Sequence, residues 1–130
     1  MVNDCILIID FGSQLTQLIA RRVRESNVYS EIVPFNRADE VLAERKWNGI
    51  ILSGGPASVL EQGTPRIPSM VFKSQLPLLG ICYGQQAMVA GLGGEVEQTI
   101  KREFGRAFLD ISGTCTLFQG VWKEGDQAQV

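Results

Sequence analysis

The 130-residue sequence predicts an α/β fold: a three-layer, open, mainly parallel sheet with helices on both faces. Two observations carry this. Short, continuous apolar runs recur along the chain, the pattern of strands buried on both faces. Between them lie segments whose apolar residues follow helical spacing, and alternation of strand and helix implies βαβ crossovers joining parallel neighbours. The length suits one domain, which can hide roughly two-thirds of its unfolded surface without disulfide staples.

Cys5–Ile9 (CILII) is the first such run and ends at Asp10. After Gly12, residues Leu15, Leu18, Ile19 and Val23 recur at helical spacing, with Ser13 as the expected cap. Tyr29–Val33 reads as a second strand. Asn36, with Asp39 three residues on, is expected to cap a helix running to about Lys46. Gly49–Leu52 is another buried strand, broken by Ser53-Gly54-Gly55-Pro56. A loop with Gly63, Pro65 and Pro68 leads into a short helix near Met70–Ser74. Leu78–Ile81 is strand-like, and Gly84–Gly91 reads as a helix that stops at glycine. Val96–Ile100 and Ala107–Ile111 are expected as two further strands, antiparallel or at an edge. Past Ser112 the pattern weakens (Leu117, Phe118, Val121, Trp122), and no closing element is expected before Val130, as in a C-terminally incomplete domain.

Composition excludes several classes of function. Twelve basic residues stand against fourteen acidic ones, a net charge of −2, so there is no electrostatic case for nucleic acid or an anionic membrane. The densest basic cluster, Arg21-Arg22-Arg24, reads as a solvated helix face or a protein contact. The chain has no histidine, so these residues complete neither a histidine-based triad nor a Cys/His zinc site, and no metal site is expected. Three widely spaced cysteines (Cys5, Cys82, Cys115) make no disulfide framework. The start, Met1-Val2-Asn3-Asp4, lacks a basic region, and Cys5–Ile9 is too short for a signal or a span, which sets a cytoplasmic expectation.

Three segments at expected strand ends could carry chemistry. Gly80-Ile81-Cys82-Tyr83-Gly84 has the form Gly-x-nucleophile-x-Gly, an elbow with sulfur in place of oxygen. A side chain held out at a sharp strand-to-helix turn strains its own backbone and brings strand and helix very close. Glycines at 80 and 84 remove the Cβ atoms that would clash, and a helix N-terminus favours a thiolate. The plainer reading makes Cys82 a small buried hydrophobe, as most free cysteines are. Ser53-Gly54-Gly55-Pro56 can present backbone N–H groups and, with the Tyr83 amide, form an oxyanion hole, or it can be an ordinary turn. Asp10 could serve as acid, base or phospho-acceptor, or simply accept hydrogen bonds from loop amides. Cys5 and Cys115 read as packing, Trp47 and Trp122 as core or interface anchors.

In these residues the chain resembles the amino-terminal, glutamine-hydrolysing domain of glutamine-dependent GMP synthetases, a class I (triad-type) amidotransferase. The Ser-Gly-Gly-Pro turn and Gly80-x-Cys82-x-Gly84-x-Gln86 are generic to such domains. More discriminating are Asp10-Phe11-Gly12-Ser13-Gln14, the segment Thr16–Glu25, Tyr83 after the cysteine, and Lys101-Arg102-Glu103-Phe104-Gly105. Amidotransferases serving anthranilate, CTP or carbamoyl-phosphate synthesis typically carry leucine after the cysteine. The resemblance covers essentially all 130 residues.

It implies a flavodoxin-like fold, residues 1–130 forming the first part of one amidotransferase domain with no second domain in the chain. It places the nucleophile on Cys82, the oxyanion donors on the Gly55 and Tyr83 backbone, and substrate contacts on Gln86 and Gly54, with Gly80 and Gly84 shaping the elbow. The substrate would be L-glutamine, and the ammonia released would aminate adenylated XMP to GMP in an ATP-pyrophosphatase domain or subunit. That part would use ATP and Mg²⁺, this chain no cofactor, and the whole enzyme would be a homodimer. The family's catalytic histidine and its glutamate partner are expected beyond Val130, leaving these residues inactive alone. The alternative is a non-catalytic, flavodoxin-like binding or regulatory module that has lost its triad.

Overall fold

The computed structural model describes residues 4–55, 58, 60–98 and 105–130. They fall into two compact units, Met1–Glu97 and Gln98–Val130.

The first unit is built on a four-stranded parallel sheet. Strand β1 (Cys5–Asp10) pairs on one side with β2 (Tyr29–Pro34) and on the other with β3 (Gly49–Leu52), which pairs in turn with β4 (Leu78–Gly80). The order β2-β1-β3-β4 reverses the direction of winding at β1. Right-handed crossovers then put α1 (Thr16–Glu25), which links β1 to β2, on one face. The opposite face carries α2 (Ala38–Glu44) and α3 (Ser69–Lys73), which lie against each other. Helix α4 (Tyr83–Gly91) leaves the end of β4 and packs on β4 and β3. This is the α/β, flavodoxin-like arrangement, in which the crevice at the reversal point opens beyond the carboxyl ends of the strands.

Continuous apolar strands form the core. Leu7, Ile8 and Ile9 of β1 and Leu52 of β3 are fully buried, each worth about 1.5–3 kcal/mol of transfer free energy. Trp47 is buried beside them, and its indole N–H donates to the Val41 carbonyl at 3.1 Å. The exposed Arg45 guanidinium lies over the Tyr29 and Trp47 rings, 5.1 and 5.5 Å from their centroids, and meets Glu31 at 3.4 Å.

Local details depart from the sequence reading in several places. Helix α1 turns Thr16 and Ala20 to the sheet, while Leu15 and Leu18 face outward, 58% and 46% exposed. The small Ala20 lets the helix settle close to β2, where the buried Ser30 hydroxyl donates to the Ala20 carbonyl. Ser13 is not the N-cap: Leu15 holds that position, and the Ser13 hydroxyl accepts from the Leu15 N–H in the turn before it. Asn36 caps nothing, because Phe35–Arg37 form a 3-10 turn that runs straight into α2, whose N-cap is Arg37. That helix ends at Glu44 rather than Lys46, since Arg45 is extended. The basic cluster is engaged locally: Arg21 and Arg22 pair with Glu25, and Arg24 donates to the Ser30 carbonyl.

The second unit is an antiparallel pair, β5 (Phe108–Asp110) with β6 (Gln127–Gln129), flanking a 3-10 turn at Thr116–Phe118. The antiparallel strand expected near 107–111 is thus present. No strand is expected past Ser112, yet Gln127–Gln129 pairs with Phe108–Asp110. A strand with one apolar residue between two glutamines has almost no hydrophobic signature. In the other expected strand, Val96–Gln98 lie in no regular element, and residues 99–100 fall outside the described residues. Trp122 stacks edge-on against Phe118, ring centroids 5.4 Å apart.

Substitutions on α1 test the corrected face. Leu18→Gln should leave unfolding free energy within about 0.5 kcal/mol of the parent. Ala20→Gln should cost about 1–3 kcal/mol or more by overpacking the helix–sheet contact. Urea denaturation followed by circular dichroism measures both.

Candidate active site

Three strand ends converge beyond the carboxyl edge of the sheet: the loop after β1, the turn after β3 and the start of α4. Their meeting depends on glycine. A Cβ at Gly84 would run into the Leu52 carbonyl of β3, and one at Gly80 would stand 2.7 Å from the Gln85 Cα. Side-chain-free backbone at both positions therefore lets α4 start against the end of β3. The Gly84 N–H donates to the Ser53 carbonyl at 3.0 Å, and the Ile81 N–H to the Leu52 carbonyl at 2.9 Å.

Cys82 is the N-cap of α4, with φ 53° and ψ −117°, and its side chain is exposed. Positive φ with that ψ lies outside the small left-handed region open to residues with a Cβ, a conformation that costs of order 1–3 kcal/mol. The sequence's plainer reading of a buried cysteine does not describe this thiol, which projects from a strained turn into solvent.

The turn after β3 lies alongside. A Cβ on Gly54 would stand 3.3 Å from the Cys82 Cβ and 3.5 Å from the Ser13 hydroxyl oxygen. One on Gly55 would stand 2.5 Å from the Phe11 carbonyl oxygen. The turn is wedged between the first loop and the cysteine, and a side chain at Gly55 would collide with the Phe11 carbonyl. Among the described residues, neither the Gly55 nor the Tyr83 amide meets a backbone acceptor. Pro56 lies outside the described residues. Gln86 follows one helical turn after Cys82 and is half-buried, its N–H donating to the Cys82 carbonyl at 3.2 Å.

Sequence reasoning assigned Tyr83 a role only through its backbone. Its side chain is 2% exposed, its hydroxyl donates to the Pro65 carbonyl, and its ring packs against Phe11 at 5.3 Å. Tyrosine there joins α4 to both the first loop and the loop preceding α3. Asp10 takes the plainer of its two readings: its carboxylate accepts from the Gly12 N–H at 2.9 Å and the Thr16 hydroxyl at 3.0 Å. The hydroxyls of Thr16 and Ser53, both buried, lie 3.1 Å apart, and the Ser53 hydroxyl donates to the Gly54 carbonyl at 3.3 Å. The sequence does not signal this buried polar chain, because the apolar pattern around Thr16 hides it and Ser53 lies in a segment that also reads as a turn.

Other features lie apart from the cysteine. A shallow groove along α1 is lined by Gln14, Gln17, Leu18, Arg21, Arg24 and Glu25. Among the described residues, no group of three or more acidic or cysteine side chains could hold a metal ion, and no helix is long and apolar enough to cross a membrane.

Comparison with known proteins fits this geometry. Residues 7–129 match the family model for class I glutamine amidotransferases. The chain is 59% identical over 127 residues to a glutamine-hydrolysing GMP synthase of Allorhizobium ampelinum, and 58% identical over 127 residues to one of Brucella melitensis. Each match takes in 98% of this chain but only 24% and 25% of the relative, so the chain spans about a quarter of the length of those proteins. Among solved structures, a GMP synthase subunit of Thermoplasma acidophilum superposes with a TM-score of 0.80 at 27% identity, over all of this chain and 64% of that one. The chain belongs to the class I glutamine amidotransferase family.

Proposed function

We propose that this chain supplies the nucleophile and oxyanion pocket with which a GMP synthase releases ammonia from glutamine. The observation that carries the reading is Cys82: an exposed thiol at positive φ, on a helix N-terminus, beside backbone amides of Gly55 and Tyr83 that meet no backbone acceptor among the described residues. A binding module gives no reason to hold a cysteine in so costly a conformation.

In this reading the Cys82 thiolate attacks the side-chain carboxamide carbon of glutamine, and the carbonyl oxygen takes the negative charge. The Gly55 and Tyr83 N–H groups hold that oxygen, a donor of this kind being worth about 2.7–4 kcal/mol. The C–N bond then breaks, ammonia leaves with an added proton, and a glutamyl thioester remains on Cys82. Water hydrolyses the thioester to glutamate and restores the thiol. Gln86 and the Gly54 backbone contact the substrate.

The leaving ammonia needs a proton donor, and this chain has no histidine. We assign that proton to a histidine oriented by a glutamate, both outside these 130 residues, so the chain by itself should be inactive. The ammonia would aminate adenylated XMP in an ATP-pyrophosphatase domain or subunit, where ATP and Mg²⁺ are used. A cytoplasmic, homodimeric enzyme is the accompanying expectation.

Two measurements test the proposal. In a protein of the relatives' full length carrying this chain, Cys82→Ala should lower glutamine-dependent GMP formation by about 10⁴-fold or more, by analogy with other catalytic nucleophiles. GMP formation from added ammonium should persist. Equal loss with both nitrogen sources, or no loss with glutamine, would remove Cys82 from the reaction. For the 130-residue chain, glutamate release from glutamine should match that of its Cys82→Ala variant; robust Cys82-dependent turnover would show that a group other than histidine completes the site.

A further inference from the structure

We infer that Ser53 is a positioning residue: its buried hydroxyl fixes the plane of the Gly54–Gly55 peptide so that the Gly55 N–H faces the cysteine pocket. The inference rests on the proposed function, which makes that N–H an oxyanion donor.

The peptide needs such a fixture. It is flanked by two glycines, which tolerate more backbone conformations than any other residue, so although Pro56 narrows the choices of Gly55 the local sequence leaves its plane weakly set. In a trans peptide the C=O and N–H point in opposite directions. Holding the Gly54 carbonyl toward the interior therefore turns the Gly55 N–H outward. Ser53 does the holding: it is fully buried, and its hydroxyl donates to the Gly54 carbonyl at 3.3 Å.

Ser53 is itself immobilised from three sides. Its N–H donates to the Ile9 carbonyl of β1 at 3.0 Å, and its carbonyl accepts from Gly84 of α4 at 3.0 Å. Its hydroxyl oxygen lies 3.1 Å from that of Thr16, which is 3% exposed and contacts the Asp10 carboxylate at 3.0 Å. A hydroxyl carries a single proton. Both contacts have Thr16 as the donor, so its one proton is shared between the Asp10 and Ser53 oxygens in a three-centre bond, and the Ser53 proton is left for the Gly54 carbonyl. Asp10 and Thr16 thus set the direction of the Ser53 hydroxyl without touching the pocket.

Two reactions of Cys82 separate positioning from plain structural support. With p-nitrophenyl acetate, the sulfur attacks the carbonyl carbon, a charged oxygen forms, and p-nitrophenolate leaves to give an acetyl thioester. With iodoacetamide, the sulfur displaces iodide from a CH₂ carbon, and no charge develops on a carbonyl oxygen. Both rates are measured on the 130-residue chain by peptide mapping of Cys82, with the exposed Cys115 as an internal reference.

In the Ser53→Ala variant, acylation of Cys82 should fall at least about tenfold, short of the 10²–10³-fold that outright removal of a donor costs. Alkylation should stay at the parent rate. Thr16→Val should slow acylation to a smaller degree, and Thr16→Ser, which keeps the hydroxyl, should restore it. Unchanged acylation in Ser53→Ala overturns the inference, as does a parallel fall in both rates, which would mark Ser53 as structural only. If parent Cys82 shows no acylation advantage over Cys115 once each is scaled by its alkylation rate, the oxyanion reading fails instead.

Discussion

The site depends on one close approach, that of α4 to the end of β3. The Gly84 backbone lies against the Leu52 carbonyl so tightly that a single methyl group would collide with it. The contact places the helix N-terminus beside the Ser53–Gly55 turn and leaves the intervening Cys82 with a positive φ. The cost of that conformation, of order 1–3 kcal/mol, is sustained because its surroundings are over-determined. Fully buried Leu7, Ile8, Ile9 and Leu52 fix the strands, and the Gly84 and Ile81 amides tie the elbow to β3. Parallel strands make this possible, since every strand then delivers its carboxyl end to the same edge.

Polar groups beneath the turn extend the same logic. The chain from Asp10 through Thr16 to Ser53 joins the loop after β1 to the turn after β3, and the Ser53 carbonyl joins that turn to α4. Tyr83 adds a second tie, from the helix start to Pro65 and Phe11. The Gly55 and Tyr83 N–H groups thus sit on backbone held from several directions. Such prior orientation is what makes a donor effective in a transition state, because no reorganisation remains to be done.

Much of this was legible in the sequence, for identifiable reasons. Strands such as CILII and GIIL are apolar on both faces, and that pattern has few competing explanations. The elbow was legible because Gly-x-Cys-x-Gly encodes a steric requirement, which the contacts at Gly80 and Gly84 embody. The facing of α1 was legible only in part: Ile19 and Val23 are half-buried, but close packing selected the small Ala20 and the hydrogen-bonding Thr16 over Leu15 and Leu18. The strand Gln127–Gln129 was not legible, since its stability comes from its partner's backbone rather than its own side chains. The Tyr83 contact with Phe11 and the Ser53 contact with Thr16 join residues far apart in the chain, and spacing along it carries no trace of such contacts.

The central claim is that the elbow, and not mere exposure, makes Cys82 the chemically distinct thiol. Cys115 is exposed as well, and Cys5 is partly so, which makes them controls within the same molecule. Substoichiometric iodoacetamide followed by peptide mapping compares all three directly. The account predicts that Cys82 is modified first, ahead of Cys115, because the strained elbow projects its thiol at the start of a nine-residue α-helix, whereas Cys115 precedes a three-residue 3-10 turn in extended backbone. Modification of Cys115 or Cys5 before Cys82 would contradict it.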